Sequence, residues 1–301
     1  MIAVSPIASP AFEARAPKAI ALKAGIGLRA KHHAEIVASR PGVGWFEIHA
    51  ENYMGGGPPL HYLDSVRALY PVAVHGVGLS LASANGIDSH HLQRLARLVE
   101  RVEPMIVSEH LAWTSLPDQR LYLNDLMPLP YTEQALDAVA ANIDRVQTTL
   151  RRPILIENPS LYLTYADSPI SEPDFLAALA YRTGCGILCD VNNIYVSCTN
   201  VGGDPFDYLE RVPSHAVGEV HLAGHCVKDI DGVPLLIDDH GSRVAPAVWS
   251  LYERASMLFP EAQTLIEWDT DIPDLAVLVA EAAEADYCRG LVTGACDAHV
   301  K

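Results

Sequence analysis

Histidine and carboxylate side chains recur in this chain at one kind of position, the end of a short apolar run. Runs of aliphatic and β-branched residues favour strands. Three imidazoles and four carboxylates gathered in one cavity would be unfavourable unless a cation held them. Mixed nitrogen and oxygen ligands suit iron, manganese or zinc, and a shared carboxylate can bridge two ions. The candidate metal ligands at these positions are His49, His75, Glu109, Glu157, Asp190, His221 and Glu267.

Eight such runs are present, and the segments between neighbouring runs are long enough for a helix and a loop. Parallel strands require connections of this kind, and an eightfold strand-helix repeat of about 250 residues is typical of one closed barrel. We therefore predict an α/β fold, the (β/α)8 TIM barrel, whose strands direct their carboxyl ends to one mouth. The predicted strands are 24–28, 45–49, 72–76, 105–109, 153–157, 186–190, 217–225 and 264–268.

Helical periodicity and helix-boundary residues predict the remaining elements. The predicted helices are 29–40, 60–70, 89–103, 132–150, 171–183, 204–212, 244–258 and 274–286. Residues 112–131 are predicted as a long binding loop, and 238–241 as part of an insert. Residues 1–20 contain three prolines and lack the apolar core of a secretory signal, so we expect a flexible N-terminal extension. Residues 21–301 are predicted to form a single catalytic TIM-barrel domain.

Composition narrows the classes of partner. With 21 basic and 37 acidic residues the formal charge is -16, which disfavours nucleic acid and anionic membranes as partners. No run approaches the length of a membrane-spanning helix. The six cysteines show no spacing typical of a zinc knuckle or a disulfide framework, which favours a reducing cytoplasm.

Each ligand candidate has a simpler interpretation when it is taken singly. A lone strand-end histidine is more often a hydrogen-bonded loop residue, and Glu109 by itself could accept a salt bridge. The recurrence of such residues at one structural position favours the metal site, because strand ends carry catalysis in this fold. His110 and His225 are ambiguous: each lies beside a better candidate and could support a ligand or contact substrate. We leave both outside the predicted metal set.

Other chemistries fit the sequence less well. A glycosidase needs only a pair of carboxylates, and no Gly-x-Ser-x-Gly elbow is present for acyl transfer. The triple glycine at 55–57 lacks the lysine of a phosphate-binding loop. A sugar isomerase usually has a lysine near the sugar oxygen, and no strand-end lysine appears. A zinc or manganese hydrolase or endonuclease remains as the alternative, although the acidic charge disfavours DNA as its substrate.

The ordered set of motifs resembles the multinuclear non-haem iron-dependent oxidases, a family that includes the B subunit of methanobactin biosynthesis. The resemblance covers roughly residues 24–286. The motifs that carry it are Trp-Phe-Glu-Ile-His-Ala-Glu-Asn-Tyr at 45–53, His-Gly-Val-Gly-Leu-Ser at 75–80, Ser-Glu-His at 108–110, Ile-Glu-Asn at 156–158, Asp-Val-Asn-Asn at 190–193, His-Leu-Ala-Gly-His at 221–225 and Asp-Asp-His-Gly at 238–241.

This resemblance implies a xylose-isomerase-like barrel that holds two or three irons in mixed Fe(II)/Fe(III) states and uses dioxygen as co-substrate. The implied substrate is a cysteine-containing precursor peptide made by the ribosome. Many members of the family need a partner protein that binds the leader segment of the precursor, and we expect one here.

The same barrel superfamily includes the endonuclease-four type of apurinic-site nuclease, with three zinc ions. Where that nuclease has a further histidine, this chain has Asn193, whose amide oxygen is a weaker donor and would hold one ion less tightly. We assign catalytic roles to Asn193, His225 and Asn158, and count Asn193 also among the metal ligands. The ligand series of that nuclease resembles His75, Glu157, Asp190, His221, Asp238, His240 and Glu267 in this chain.

Overall fold

The computed structural model describes residues 23–115 and 122–298, and the predicted extension at 1–20 lies outside them. Eight parallel strands close into a barrel in which each strand pairs with its neighbours in chain order. The predicted (β/α)8 barrel is confirmed. The barrel strands are β1 (Gly25–Gly27), β2 (Phe46–His49), β3 (Val72–Gly76), β4 (Val107–His110), β7 (Leu155–Glu157), β8 (Gly186–Asp190), β9 (Val217–Leu222) and β12 (Gln263–Ile266).

Helices surround the barrel and bury their apolar faces against it. Thr132 and Ser171 cap the helices that follow them by accepting hydrogen bonds from main-chain N–H groups. The helices are α1 (His33–Ser39), α2 (Pro58–Arg67), α3 (Ser89–Val102), α4 (Glu133–Leu150), α5 (Glu172–Thr183), α6 (Val191–Val201), α7 (Pro205–Arg211), α8 (Pro246–Leu258) and α9 (Leu275–Ala298), with three short 3-10 turns at Ala30–His32, Ala50–Asn52 and Ser214–Ala216.

The sequence did not predict α6. Asp190 is at once the last residue of β8 and the N-cap of α6, because its side chain accepts a hydrogen bond from the Asn193 N–H group. No turn residues therefore separate the strand from the helix. The helix also consists largely of β-branched residues, asparagines and serine, whose intrinsic helix propensity is low. Helix α6 therefore begins at the carboxyl edge of the barrel.

Two hairpins follow barrel strands at the carboxyl edge, and the sequence analysis predicted neither of them. The first, β5 (Trp113–Ser115) with β6 (Tyr122–Met127), occupies part of the predicted loop 112–131. The second joins β10 (Cys226–Ile230) to β11 (Val233–Ile237). Its turn is Asp231-Gly232, with φ angles of 54° and 85°. Asp-Gly between apolar runs is a strong hairpin signal, so this element was predictable from the sequence.

The amino-terminal end of the barrel interior is filled by apolar side chains. Trp45, Ala73 and Leu265 form a small cluster, separate from the large core that lies between strands and helices. Gly25 on β1 makes room for the indole, since a Cβ atom there would lie 2.5 Å from two Trp45 ring atoms.

Among the described residues, no helix is long and apolar enough to cross a membrane.

We expect Gly25→Ala to destabilise the barrel by about 1–3 kcal/mol, because the added methyl group overpacks the Trp45 site. Thermal unfolding of the metal-free protein measures this change. Gly55→Ala is the matched control, since a Cβ atom at Gly55 meets nothing within 4 Å. Equal unfolding temperatures for the two variants would show that the Trp45 cluster tolerates the methyl group.

Candidate metal centre

The polar side chains of the barrel mouth converge because alternate residues of a strand share one face. Each comes from the last or next-to-last residue of its strand, or in one case from the residue directly after it. All but one are buried to more than nine-tenths of their surface, and His49 is partly exposed. The convergent residues are His49, His75, His110, Glu157, Asp190, His221 and Glu267.

One ligand group consists of His75, His110 and Glu157. The Nε2 atoms of both histidines lie 3.2 Å from the same oxygen, Oε2 of Glu157. His110 Nδ1 lies 3.2 Å from the Gly76 carbonyl oxygen. A carbonyl oxygen only accepts, so Nδ1 carries the proton and the lone pair of Nε2 faces Glu157. His75 Nε2 and Glu157 Oε2 have no hydrogen-bond partner among the described atoms, as expected of atoms that hold a cation.

Both histidines of this group are in the form that binds metals. Burial lowers the pKa of His75 well below its ordinary value. It lowers the pKa of His110 to about 4. The two imidazoles are therefore neutral at physiological pH, which leaves a lone pair on each ring for a metal ion.

A second group joins Glu157 to Asp190, His221 and Glu267, with one ligand atom from each lying within 4.8 Å of the others. His221 Nδ1 is 3.0 Å from Oε2 of Glu267. Burial raises the pKa of Asp190 to about 7 and that of Glu157 well above its usual range. In both carboxyl groups burial outweighs the opposite effect of His221. Glu157 belongs to both groups and could bridge two ions.

A third set stands beside the second. His240 Nε2 lies 2.6 Å from Oδ1 of Asp238, and His240 Nδ1 lies 3.5 Å from Oε2 of Glu267. Asn192 donates a hydrogen bond of 2.7 Å to the same Asp238 oxygen. The carboxylates of Asp238 and Glu267 outweigh burial and raise the pKa of His240 well above its ordinary value. The insert thus brings Asp238 and His240 to the barrel mouth.

Asn193 and Asn158 reinforce the strand ends around these groups. Asn193 accepts a hydrogen bond of 2.7 Å from Ser160 and donates one of 3.1 Å to the main-chain oxygen of Asn158. The Asn158 amide exchanges two 2.9 Å hydrogen bonds with the main chain of Asp190. Asn193 lines the mouth cavity. Asn158 is buried and fully engaged, so its geometry fits the positioning of Asp190 better than contact with a substrate.

The predicted ligand Glu109 lies apart from these groups. Strand β4 ends at His110, one residue later than predicted, and a shift of one residue reverses which side chains face the interior. Ser108 therefore contacts His75 inside the barrel, whereas Glu109 accepts a hydrogen bond from the Leu79 N–H group on the opposite face of the sheet. His110, and not Glu109, lies beside Glu157 in the first candidate group.

His49 forms a further possible group with Glu267 and Asp269. Its Nε2 atom lies 3.0 Å from Oε1 of Glu267. Arg29, which the sequence did not single out, is buried beside them and forms ion pairs with both carboxylates. The neighbouring histidines outweigh burial and hold the pKa of Glu267 well below its usual value. Glu267 is therefore an anion that His49, His221, His240 and Arg29 share.

His225 contacts the candidate ligand Asp238 only through Asn192. Its Nδ1 atom lies 2.8 Å from Oδ1 of Asn192, whose amide nitrogen donates to Asp238. The ring also packs on Tyr195 at a centroid separation of 5.3 Å. The contacts of His225 fit support of the Asp238 insert, and His225 is not among the residues that line the mouth cavity.

Two buried glutamates escaped the sequence analysis. Glu47 and Glu219 lie in the barrel interior beside His221 Nε2, at 3.3 and 3.4 Å. Burial raises the pKa of Glu47 to about 8. Their signal was visible in the sequence: each precedes a mouth histidine by two residues, and this spacing puts both side chains on one face of a strand.

The ligand groups open into a cavity of about 470 Å³. One wall is formed by the β5–β6 hairpin, and the other by the insert and the residues after β12. Its lining includes apolar Leu123 and Leu126, polar Thr114 and Thr270, and the acidic residues Asp125, Asp238, Asp239 and Asp269, which form an acidic rim. The cavity can therefore take a short segment with both apolar and hydrogen-bonding groups.

The closed parallel barrel defines a fold class, the (β/α)8 TIM barrels, and solved structures of this fold align with the chain. D-psicose 3-epimerase from Clostridium cellulolyticum H10, solved with D-tagatose, aligns with a TM-score of 0.56 at 12% identity over 90% of this chain and 99% of that chain. A xylose isomerase domain protein from Planctomyces limnophilus aligns with a TM-score of 0.55 at 11% identity over 90% and 95% of the two chains. These similarities concern the fold.

Sequence comparison identifies the family within this class. Residues 23–289 match the family described as RiPP precursor modification enzyme MbnB/TglH/ChrH. A UPF0276 protein from Caulobacter vibrioides (strain NA1000 / CB15N) is 51% identical over 263 residues, which are 87% of this chain and 93% of the relative. One from Acaryochloris marina is 49% identical over the same shares. The chain belongs to the MbnB/TglH/ChrH family, which confirms the resemblance stated from its motifs.

The two neighbouring residues on β4 offer a sharp test of this geometry. We expect His110→Ala to reduce the metal content of the anaerobically loaded protein, because His110 Nε2 faces Glu157. Glu109→Gln should leave the content unchanged, because Glu109 faces away from the groups. Elemental analysis after removal of loose metal measures both. The reverse order would restore Glu109 as the ligand.

We also expect substitutions of His221 and His225 to affect metal binding differently. His221→Ala removes a group inside the cluster and should lower the number of ions retained per chain. His225→Ala acts only through Asn192, so it should weaken binding by no more than about 10-fold and leave the stoichiometry intact. Chelator competition measures both quantities. Equal losses would place His225 among the direct ligands.

Proposed function

We propose that this protein is a multinuclear iron-dependent oxidase that uses dioxygen to modify cysteine residues of a ribosomally synthesised precursor peptide. One observation carries the proposal: separate ligand groups share Glu157 and Glu267, and several of their buried donor atoms have no hydrogen-bond partner among the described residues. Such a mouth is built for a cluster of ions. Membership of the MbnB/TglH/ChrH family supports a precursor peptide as substrate.

The donor set fits iron. It combines imidazoles with carboxylates and includes no thiolate, a mixture that iron, manganese and zinc all accept. One ion would be held by His75, His110 and Glu157. A second would be held by Asp190, His221 and Glu267, with Glu157 bridging the two ions. Asp238 and His240 would hold a third, and Asn193 lines the same cavity. Bound iron would supply one-electron redox chemistry with dioxygen and would lower the pKa of a coordinated cysteine thiol.

The protein's own residues would bind and orient the peptide. Leu123 and Leu126 offer apolar contact at the cavity wall. Thr114, Thr270 and the Asn193 amide offer hydrogen bonds to a peptide backbone. The β5–β6 hairpin covers one side of the cavity and would reduce the access of water to the ions. The narrow space favours a peptide segment over a folded protein surface.

The partner and the compartment belong to the same proposal. We expect a separate protein that binds the leader segment, because the family acts on precursor peptides. Five cysteines are unpaired, namely Cys185, Cys189, Cys198, Cys226 and Cys288, which fits the reducing cytoplasm in which a precursor would keep its thiols reduced.

A zinc or manganese hydrolase or endonuclease is the second candidate, because the same nitrogen and oxygen donors accept those ions. The acidic rim of the cavity opposes a phosphodiester substrate, since Asp125, Asp238, Asp239 and Asp269 would repel its charge. The choice of metal and the response to dioxygen distinguish the two candidates.

Anaerobically purified protein, loaded separately with Fe(II), Zn(II) or Mn(II), tests the proposal. Each form is offered any short cysteine-bearing peptide encoded beside the gene, together with any leader-binding protein encoded there. We expect peptide mass change and dioxygen uptake with iron only, and neither with a Cys→Ser peptide. Glu157→Gln should abolish both, since Glu157 joins two ligand groups. Turnover with zinc in the absence of dioxygen, by hydrolysis of a phosphodiester, would instead establish the hydrolase.

A further inference from the structure

Two glutamates lie inside the barrel, deeper than the mouth. Glu47 is on β2 and Glu219 on β9, each two residues before a mouth histidine. Their side chains are at most 1% exposed. The ion pairs that both make within the described part of the chain are with the same partner, His221. A pair of buried carboxylates without a lysine or arginine is unfavourable for folding and calls for a functional reason.

The His221 ring stands between this pair and the proposed ions. Its Nε2 atom lies 3.3 Å from Oε1 of Glu47 and 3.4 Å from Oε1 of Glu219. Its Nδ1 atom lies 3.0 Å from Oε2 of Glu267. One edge of the imidazole thus faces two carboxylates below, and the other faces Glu157, Asp190 and Glu267 in the mouth.

The two glutamates are not acceptors for the fold itself. Oε2 of Glu47 and both oxygens of Glu219 have no hydrogen-bond partner among the described atoms, and neither does Nε2 of His221. Glu172, another buried glutamate, differs in this respect. Tyr131 and Tyr208 each donate a hydrogen bond to it. The contacts of Glu47 and Glu219 are therefore directed at the histidine.

A neutral imidazole carries one N–H group, and its position decides which nitrogen can bind a metal. Nδ1 also lies 3.0 Å from a carboxylate, that of Glu267. When Glu267 binds an ion, the two carboxylates at Nε2 favour the proton there, because a carboxylate attracts the N–H dipole. The lone pair is then on Nδ1, directed at the mouth. Carboxylates behind a ligating histidine also make the ring more basic, and removing such a partner typically weakens metal binding about 10–100-fold.

We propose that Glu47 and Glu219 are positioning residues of the metal centre: together they hold the proton on Nε2 of His221, so that Nδ1 faces Glu157, Asp190 and Glu267. This inference rests on the proposed metal centre. With ions bound above it, the pair would also form a buried negative layer that offsets their positive charge.

The test compares metal affinity with the stability of the metal-free protein. Glu219→Gln keeps an acceptor but removes the charge, and Glu219→Leu removes both; the corresponding Glu47 variants repeat the series. Competition between the full chain and a chelator for Co(II), and anaerobically for Fe(II), measures the number and affinity of bound ions. We expect one ion to bind about 10–100-fold more weakly, with leucine worse than glutamine. The visible absorption of bound Co(II) should change in parallel.

Glu172→Gln is the matched control. It weakens the hydrogen bonds from Tyr131 and Tyr208, so it should lower the unfolding temperature of the metal-free protein and leave metal affinity unchanged. Glu219→Gln should weaken metal binding and leave the unfolding temperature of the metal-free protein unchanged, because the Glu219 oxygens accept no hydrogen bond from the described residues. This crossed result separates a positioning role from a structural one.

Three other results overturn the inference, and each has a distinct meaning. Unchanged affinity with a lower unfolding temperature assigns the two glutamates to the fold. Loss of one complete ion, with the others bound as before, shows that Glu47 and Glu219 are themselves ligands of a separate ion. A wild-type protein that binds neither Co(II) nor Fe(II) overturns the proposed metal centre as well, whereas equal affinities overturn this inference alone.

Discussion

The structure depends on the burial of negative charge at the carboxyl edge of the barrel. Glu157, Asp190 and Glu267 meet in one water-excluded group, where a carboxylate without a counter-charge is strongly disfavoured. Burial makes His75 and His110 too weakly basic to supply that charge to Glu157. The raised pKa of Asp190 and Glu157 expresses the deficit. Cations bound at the mouth would relieve it, so folding and metal binding should be coupled.

The barrel interior changes in character from one end to the other. Trp45 and its neighbours close the amino-terminal end with apolar contact. Glu47 and Glu219 follow, and the ligand groups lie above them. The β5–β6 hairpin and the Asp238–His240 insert then form the walls of the cavity. Each strand contributes to successive layers because its alternate side chains point inward, so a single residue of register decides which layer a side chain joins.

The similarity to sugar epimerases shows how little the fold decides about the reaction. The aligned structures share the barrel at 11–12% identity and carry different names for different substrates. In this chain the candidate ligand groups are formed by residues at the strand ends and in the segment that follows the second hairpin. The third set, Asp238 and His240, comes from an insert outside the barrel sheet. Variation in such segments lets one scaffold hold different sets of ions.

The sequence by itself determined the eight strands, their order and most of the mouth, because apolar runs and strand-end polar residues follow from local periodicity. It could not decide between Glu109 and His110, since a strand end is uncertain by a residue and one residue reverses the face. The sequence analysis also missed α6, because its N-cap, Asp190, is the last residue of β8 and no turn residues mark the start of the helix. Tertiary structure alone revealed the pairing of Glu47 and Glu219 at His221, because residues from β2 and β9 meet only when the barrel closes.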